Sequence, residues 1–305
     1  MTREELNQKK QEAIINEQRK EKTKAVVVSF FKVSFLLIVG FLVFYIYTTF
    51  ISTSKLSVKE QRILSEKIAS NFDGLKVIHF SDLHYGSTVF YDKLKNLVHQ
   101  INIRTPDLVV FTGDLIDINY ELTTEEQEKI INLLKKIDSK LGKYAVTGEE
   151  DGDLFDTIMK QSDFVVLNND YELIYDNSNV PILLVGLGSD LNNDLNVDIA
   201  YSYFNDSAHN SNIFSISLLH ETDTFDKIPT KYHSDLFLSG HSHNGTVILP
   251  FIGPIYKVDG AKKYNQEFYN IGAAKLFVSS GIGTTKPGFR LFCRPSFNFF
   301  RISKK

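Results

Sequence analysis

Residues 235–245, DLFLSGHSHNG, carry the pattern from which the rest of the chain is read. Leu236, Phe237 and Leu238 form a short apolar run with strand character that stops at Gly240, so the next side chains emerge at the carboxyl end of a buried strand. Strand carboxyl ends are where open α/β folds bind their ligands. His241 and His243 then stand one residue apart in a tight turn between Gly240 and Gly245. Neutral imidazoles ligate metals, and glycine lets backbone approach closely. The same letters also fit a polar loop with two solvated histidines, so the pair takes its meaning from what the other strand ends carry.

The layout recurs upstream. Residues 75–80 (LKVIHF) form an apolar run that ends at Asp82 and His84, and residues 107–111 (DLVVF) end at Asp114. Residues 144–146 lead into Glu149 and Glu150, and residues 213–219 (IFSISLL) deliver His220. Between these runs Leu94, Leu97, Val98 and Ile101 recur at helical spacing ahead of Pro106. Thr123 and Glu126 make a capping-box pattern before Ile130, Ile131, Leu134 and Ile137. The alternation predicts an α/β fold with a mainly parallel sheet. Residues 181–188 (PILLVGLG) add a buried strand, whereas 190–212, rich in Asn, Asp and Ser, read as a long surface loop or irregular helix that helps to shape a pocket. Past the histidine pair, Gly and Pro punctuate apolar runs such as VSSGIGTTKPGF (278–289), which predicts hairpins.

Each strand end alone has a bland alternative, since an Asp caps helices and a lone His is commonly structural. Five in succession, on strands of one parallel sheet, face one crevice. The expectation is therefore a single site built from Asp82, His84, Asp114, Glu149, Glu150, His220, His241 and His243. Two divalent ions about 3.5–4 Å apart in such a site polarise phosphoryl oxygens, hold an attacking hydroxide between them and offset charge on the leaving oxygen. One carboxylate must bridge the ions, and Asp114, central in the ligand order, is the candidate. These donors suit Mn, Zn and Fe alike. His79, His99, His209 and His233 are assigned to structure or surface.

A chain of 305 residues that is 43% hydrophobic and 23% charged is globular, and its net charge of −3 carries no nucleic-acid-binding signature. The lone Cys293 excludes an intramolecular disulfide and a cysteine zinc site. Residues 1–24 form a charged tail, 25–52 an apolar segment long enough to span a membrane, and 53–305 the globular domain. Residues 33–51 contain no charge, and no cleavage-site pattern follows them, so an uncleaved anchor is expected. Lys10, Arg19, Lys20, Lys22 and Lys24, with Lys32 at the boundary, stand against Lys55, Lys59, Arg62 and Lys67. That bias predicts a cytoplasmic amino terminus and an extracytoplasmic catalytic domain.

In order, SDLH, GDLID, an acidic turn after the third strand, an isolated His and SGHSHNG resemble the calcineurin-like metallophosphoesterases, within them the membrane-associated bacterial branch of YkuE-type and YaeI-type phosphodiesterases. The resemblance runs from about residue 56 to 302 and includes LPFIGPIY (249–256) and the terminal LFVSSGIGTTKPGFRLFCRPSF. It implies a four-layer α/β/β/α sandwich that hydrolyses a phosphodiester or pyrophosphate. It also implies Asp82, His84, Asp114 and His243 on one metal, and Asp114, His220 and His241 on the other. The family's GNHD or GNHE motif is here Gly148, Glu149, Glu150, Asp151. Glu149 keeps an oxygen ligand but adds negative charge, and Glu150 replaces a histidine that assists the leaving group. Asp114, Glu150 and His241 are the residues expected to carry catalysis. A membrane anchor further suggests a lipid-linked or cell-envelope phosphoester, and the two glutamates raise the alternative of an impaired member that binds a phosphorylated ligand or a partner protein.

Overall fold

The computed structural model describes residues 2–206, 209, 212–285 and 288–305. The chain divides into two units, residues 1–48 and 49–305. In the first, α1 (Arg3–Ile46) opens on a Thr2/Glu5 capping box and carries the charged tail and the apolar segment in one uninterrupted helix with no buried side chain. The helix is long and apolar enough to cross a membrane. A π-helical turn, Tyr47–Ile51, follows it.

The second unit begins with β1 (Ser57–Ser65), β2 (Leu75–Phe80), α2 (Tyr91–Asn102), β3 (Leu108–Thr112), α3 (Thr124–Lys135), β4 (Lys143–Val146), α4 (Leu154–Gln161) and β5 (Phe164–Val166). It continues with β6 (Asp170–Ile174), β7 (Ile182–Gly186), α5 (Val197–Ala200), β8 (Ser215–Leu218), β9 (Leu236–Ser239), β10 (Ile248–Leu249), β11 (Gly253–Pro254), β12 (Phe268–Ile271), β13 (Ala274–Val278) and β14 (Ser296–Lys304). One six-stranded sheet has the order β1-β14-β2-β3-β4-β5 and the other β12-β13-β9-β8-β7-β6, while β10 and β11 form a separate ribbon. Strands β2 to β5 are parallel, as are β7, β8, β9 and β13.

Alternate residues of each central strand face different cores. Val77, Leu108 and Val110 point into the space between the sheets, against Leu184, Ile216, Leu218 and Leu238. Ile78, Phe80, Val109 and Phe111 face the opposite way and meet the apolar stripes of α2, α3 and α4. Burial on both faces is why these strands read as unbroken apolar runs. The outer face of the second sheet is covered more thinly, by α5, the 3₁₀ turn Ser202–Asn205 and aromatic side chains such as Tyr201, Tyr203 and Tyr264. The four layers expected from the family resemblance are thus present, the fourth built from short turns.

Two expectations change. The five strands that carry the candidate ligands do not share one sheet: β2, β3 and β4 lie in the first and β8 and β9 in the second. A run of buried strands has no pattern that marks where one sheet ends and the next begins. Hairpins do follow the histidine pair, as β10–β11 and β12–β13, but the described residues 279–285, 288 and 289 leave β13 as irregular loop, because β13 is followed by a crossing to the first sheet. The segment 190–212 does contain a helical turn, although residues 207, 208, 210 and 211 lie outside those described.

Candidate metal centre

All five residues of the DxH, GD and HxH motifs that face the site have left-handed backbone: Asp82 (φ 49°), His84 (φ 41°), Asp114 (φ 61°), His241 (φ 63°) and His243 (φ 48°). Non-glycine residues rarely adopt this conformation, and each instance costs about 1–3 kcal/mol. Neighbouring structure must therefore enforce it. Asp151 is one enforcer, its buried carboxylate accepting N–H bonds from Asp114 and Gly148, both at 2.8 Å, and from Leu115 at 2.8 Å. Close packing is another. A Cβ on Gly148 would lie 2.3 Å from Asp114 Oδ1, and one on Gly113 would lie 2.5 Å from His220 Nδ1.

The imidazoles share one design. His220 Nδ1–H donates to the Thr112 carbonyl at 2.6 Å, and His243 Nδ1–H donates to the Gly283 carbonyl at 3.1 Å. His241 donates through Nε2–H to the Asp259 carbonyl, and His84 through Nδ1–H to Glu150 Oε2 at 3.1 Å. Each ring is thereby held by one nitrogen, which leaves the other nitrogen's lone pair turned inward. The inward atoms meet carboxylates. His220 Nε2 lies 2.7 Å from Glu149 Oε2 and 3.3 Å from Asp114 Oδ2, and His241 Nδ1 lies 2.8 Å from Glu149 Oε1. His84 Nε2 is 3.0 Å from His243 Nε2 and 3.6 Å from Asp114 Oδ2, while His243 Nε2 is 3.5 Å from Asp82 Oδ1.

Acceptors therefore face acceptors. Glu149 Oε2, His220 Nε2 and His241 Nδ1 are buried without a hydrogen-bond partner, an arrangement that only positive charge relieves. The donor atoms fall into three sets within which all lie inside 4.8 Å, Asp114 with Glu149, His220 and His241, Asp82 with His84 and His243, and His84 with Asp117 and Glu150. His and carboxylate donors clustered in this way fit divalent cations.

Electrostatics point the same way. Burial opposes charge on His84, but the Glu150 hydrogen bond and the Asp114 and Asp82 carboxylates outweigh it and raise the imidazole to about 9. Burial likewise opposes charge on His220, and Asp114 and Glu149 raise it well above its ordinary value. Glu149 is held low despite its burial by His220 and His241. His243 is pushed well down, first by burial and then by His84 and Arg290. Asp151 is raised to about 7 by burial and the Asp114 charge, against its three backbone donors.

The structure brings together all eight residues singled out in the sequence. Glu150 lines the cavity, and its Oε2 accepts from His84 Nδ1–H and from Ile118 N–H, each at 3.1 Å. Two contributors escaped sequence reasoning. Asp151 was the last acid of a run of three, and Arg290, fully buried, donates to the carbonyls of Ser280, Gly281 and Gly283 beneath His243. A cation between Phe289 and Leu291 was the available signal. His79 is buried and structural, bonded to Thr112 and Asn298.

Above the donors lies a cavity of ≈ 640 Å³. Its floor includes Asp114, Glu149 and Glu150, and its walls are apolar, with Val247, Ile255 and Phe289. Among its described lining residues there is no Lys or Arg.

Residues 75–271 match the Calcineurin-like phosphoesterase family. The chain is 31% identical to the metallophosphoesterase YkuE of Bacillus subtilis over 85% of its own length and 89% of the relative's. It is 23% identical to the phosphodiesterase YaeI of Escherichia coli over 74% of this chain and 82% of that one. A shorter match, 32% identity over 29% of this chain and 26% of the relative, joins it to the UDP-2,3-diacylglucosamine pyrophosphatase LpxG of Chlamydia muridarum.

Proposed function

The chain belongs to the calcineurin-like phosphoesterases, and from that membership we propose that it is a membrane-anchored hydrolase of a phosphodiester or pyrophosphate, with Asp82, His84, Asp114 and His243 around one divalent cation and Asp114, Glu149, His220 and His241 around a second. The observation that carries this reading is the set of four histidines, each pinned through one nitrogen, with the other turned toward carboxylates. Bound there, divalent ions supply Lewis acidity to a phosphoryl oxygen and acidify a water to a nucleophile near neutral pH. The lining makes such ions necessary, because a phosphate anion meets no described Lys or Arg in a cavity floored by acids. Glu149 supplies a charged oxygen to the set that holds His220 and His241. Glu150 acts as a positioning residue, accepting the His84 proton and so aiming Nε2 inward. The apolar walls limit water around the reacting group and suit a substrate with hydrocarbon beside its phosphate. The relative named for a diacylglucosamine nucleotide and the apolar helix α1 support a lipid-linked or cell-envelope substrate. In this reading α1 anchors the chain with its amino terminus in the cytoplasm and the catalytic unit outside.

The test is Mn²⁺-dependent hydrolysis of bis(p-nitrophenyl) phosphate by the full chain in detergent, beside Asp114→Asn. That diester has a good leaving group and asks for no proton donor. Turnover in the native chain that is lost in the variant supports the proposal. A native chain that holds two ions by elemental analysis yet shows no turnover overturns it.

A further inference from the structure

We propose that the β10–β11 hairpin, with the segment 289–292 along its base, docks on the lipid bilayer surface and presents the cavity to lipids held in it. The inference rests on the membrane-anchored reading above and adds the surface that meets the bilayer. Phe251 and Ile252, at the hairpin tip, are 109% and 73% exposed. No other large hydrophobic among the described residues 53–305 is exposed as far. Ile255, Tyr256 and Phe292 add more than half-exposed apolar surface. Phe251 also holds a left-handed backbone (φ 68°), an unfavourable conformation for a bulky side chain that keeps the ring out on the turn. Water gives no reason to maintain such a tip.

Three features identify a bilayer as its partner. The first is position. Thr53, two residues beyond the apolar stretch, accepts from Lys93 Nζ at 3.3 Å, and the same ammonium donates to the Thr88 carbonyl at 2.7 Å. The Thr88 hydroxyl in turn accepts from Thr284 N–H at 3.0 Å, and Thr284 lines the cavity. The first residues after the candidate span and the cavity wall thus share one side of the catalytic unit. The second is continuity. Val247 bridges to Leu291, Ile248 N–H donates to the Leu291 carbonyl at 2.9 Å, and Val247, Ile255 and Phe289 carry the apolar surface inward from the tip to the metal-ligand cluster. The third is charge. Lys257 follows the hairpin, Arg294 follows Phe292, and Lys55 follows the span, all exposed. An apolar tip flanked by cations is the signature of an interfacial element on anionic lipid.

The chain has no tryptophan, so Phe251→Trp introduces a single reporter. The full chain is placed in nanodiscs of phosphatidylethanolamine and phosphatidylglycerol whose acyl chains carry bromine. The control is Tyr175→Trp, because Ile174 pairs with Ile182 at the start of β7, the end of that sheet away from His220 and His241. Expected is blue-shifted emission quenched by at least half for Phe251→Trp and unquenched emission for Tyr175→Trp. Unquenched, red-shifted emission from both overturns docking. Blue-shifted but unquenched emission from Phe251→Trp means a protein surface covers the tip, and also overturns it. A chain that does not enter nanodiscs defeats the anchor reading, and docking with it.

Activity tests the supply of lipid. Phe251→Asp with Ile252→Asp is expected to lower hydrolysis of phosphatidyl-p-nitrophenol in vesicles at least tenfold and to change bis(p-nitrophenyl) phosphate turnover by less than twofold. Equal effects on both esters overturn the proposal. Should the native chain cleave neither ester, the phosphoesterase reading fails while quenching still decides docking.

Discussion

Replacing Glu150 with Gln separates two roles that differ in where the loss appears. In the structure Glu150 Oε2 accepts from His84 Nδ1–H and Ile118 N–H, and its own N–H donates to Asp114 Oδ1 at 3.1 Å. The amide oxygen of Gln can keep both acceptor contacts, so the substitution removes charge more than shape. Hydrogen bonds to charged groups contribute about 1.5–3 kcal/mol, against about 0.5–1.5 for neutral ones, a difference near 1–1.5 kcal/mol. At about 1.4 kcal/mol per decade that is roughly tenfold in cation affinity, the lower end of the 10- to 100-fold that outer-shell changes cost. The expected result is a dissociation constant for Mn²⁺ about tenfold higher, with kcat for bis(p-nitrophenyl) phosphate at saturating metal within a few-fold of native. A general acid behaves differently. Its removal leaves metal affinity unchanged and lowers kcat by about 10²–10⁴-fold, chiefly for esters with poor leaving groups. The assay is metal titration against a fluorescent chelator, followed by kinetics on aryl and alkyl phosphodiesters. Unchanged metal affinity with a hundredfold loss confined to alkyl esters would refute the positioning role and return Glu150 to the proton.

Further outcomes follow from the same contacts. Asp151→Ala leaves the N–H groups of Asp114, Leu115 and Gly148 without an acceptor; at about 1–3 kcal/mol each the loss is at least about 3 kcal/mol in thermal melts, and a change under 1 kcal/mol would sink the bracing role given to this carboxylate. His79 is fully buried and lowered to about 3 by burial, so below its ordinary 6.5 the unfolded state binds the extra proton and stability falls with pH. The slope is about 1.4 kcal/mol per unit, near 2 kcal/mol between pH 7 and 5; His79→Asn should lack this component, and parallel native and variant profiles would show that His79 already carries its charge in the fold. Thr123→Ala removes the side chain that accepts from Glu126 N–H at the start of α3, with an expected loss of about 1 kcal/mol in the same melts. Glu149→Asn keeps an oxygen between His220 and His241 but drops its charge, so cation affinity should fall about tenfold or more; tighter binding by chelator competition would contradict the role assigned to that carboxylate.

What the sequence disclosed and what it hid divide along a physical line. Ligand types are legible because they are side-chain chemistry placed at strand ends, and 3.6-residue spacing exposes α2 and α3, whose Leu94, Leu97 and Val98 and Ile130 and Leu134 are buried as spaced. Sheet membership was not legible. β4 and β8 are both runs buried on two sides, and nothing in their composition records that one lies beside β3 and the other beside β7. The site survived that error because sheets packed face to face bring their carboxyl ends to one edge as readily as neighbours within a sheet do. The supports were hidden for a different reason. Asp151 acts on backbone N–H groups 36 and 37 residues upstream and Arg290 on carbonyls 7 and 10 residues upstream, and a bond to backbone leaves no partner residue to recognise. Glu150 joins both cases. Its position in the acidic turn was visible, but its role depends on His84 Nδ1 and Ile118 N–H arriving from two other loops. A substitution that looks like the loss of a proton donor therefore becomes, once the chain is folded, a carboxylate that holds the His84 ring through Nδ1.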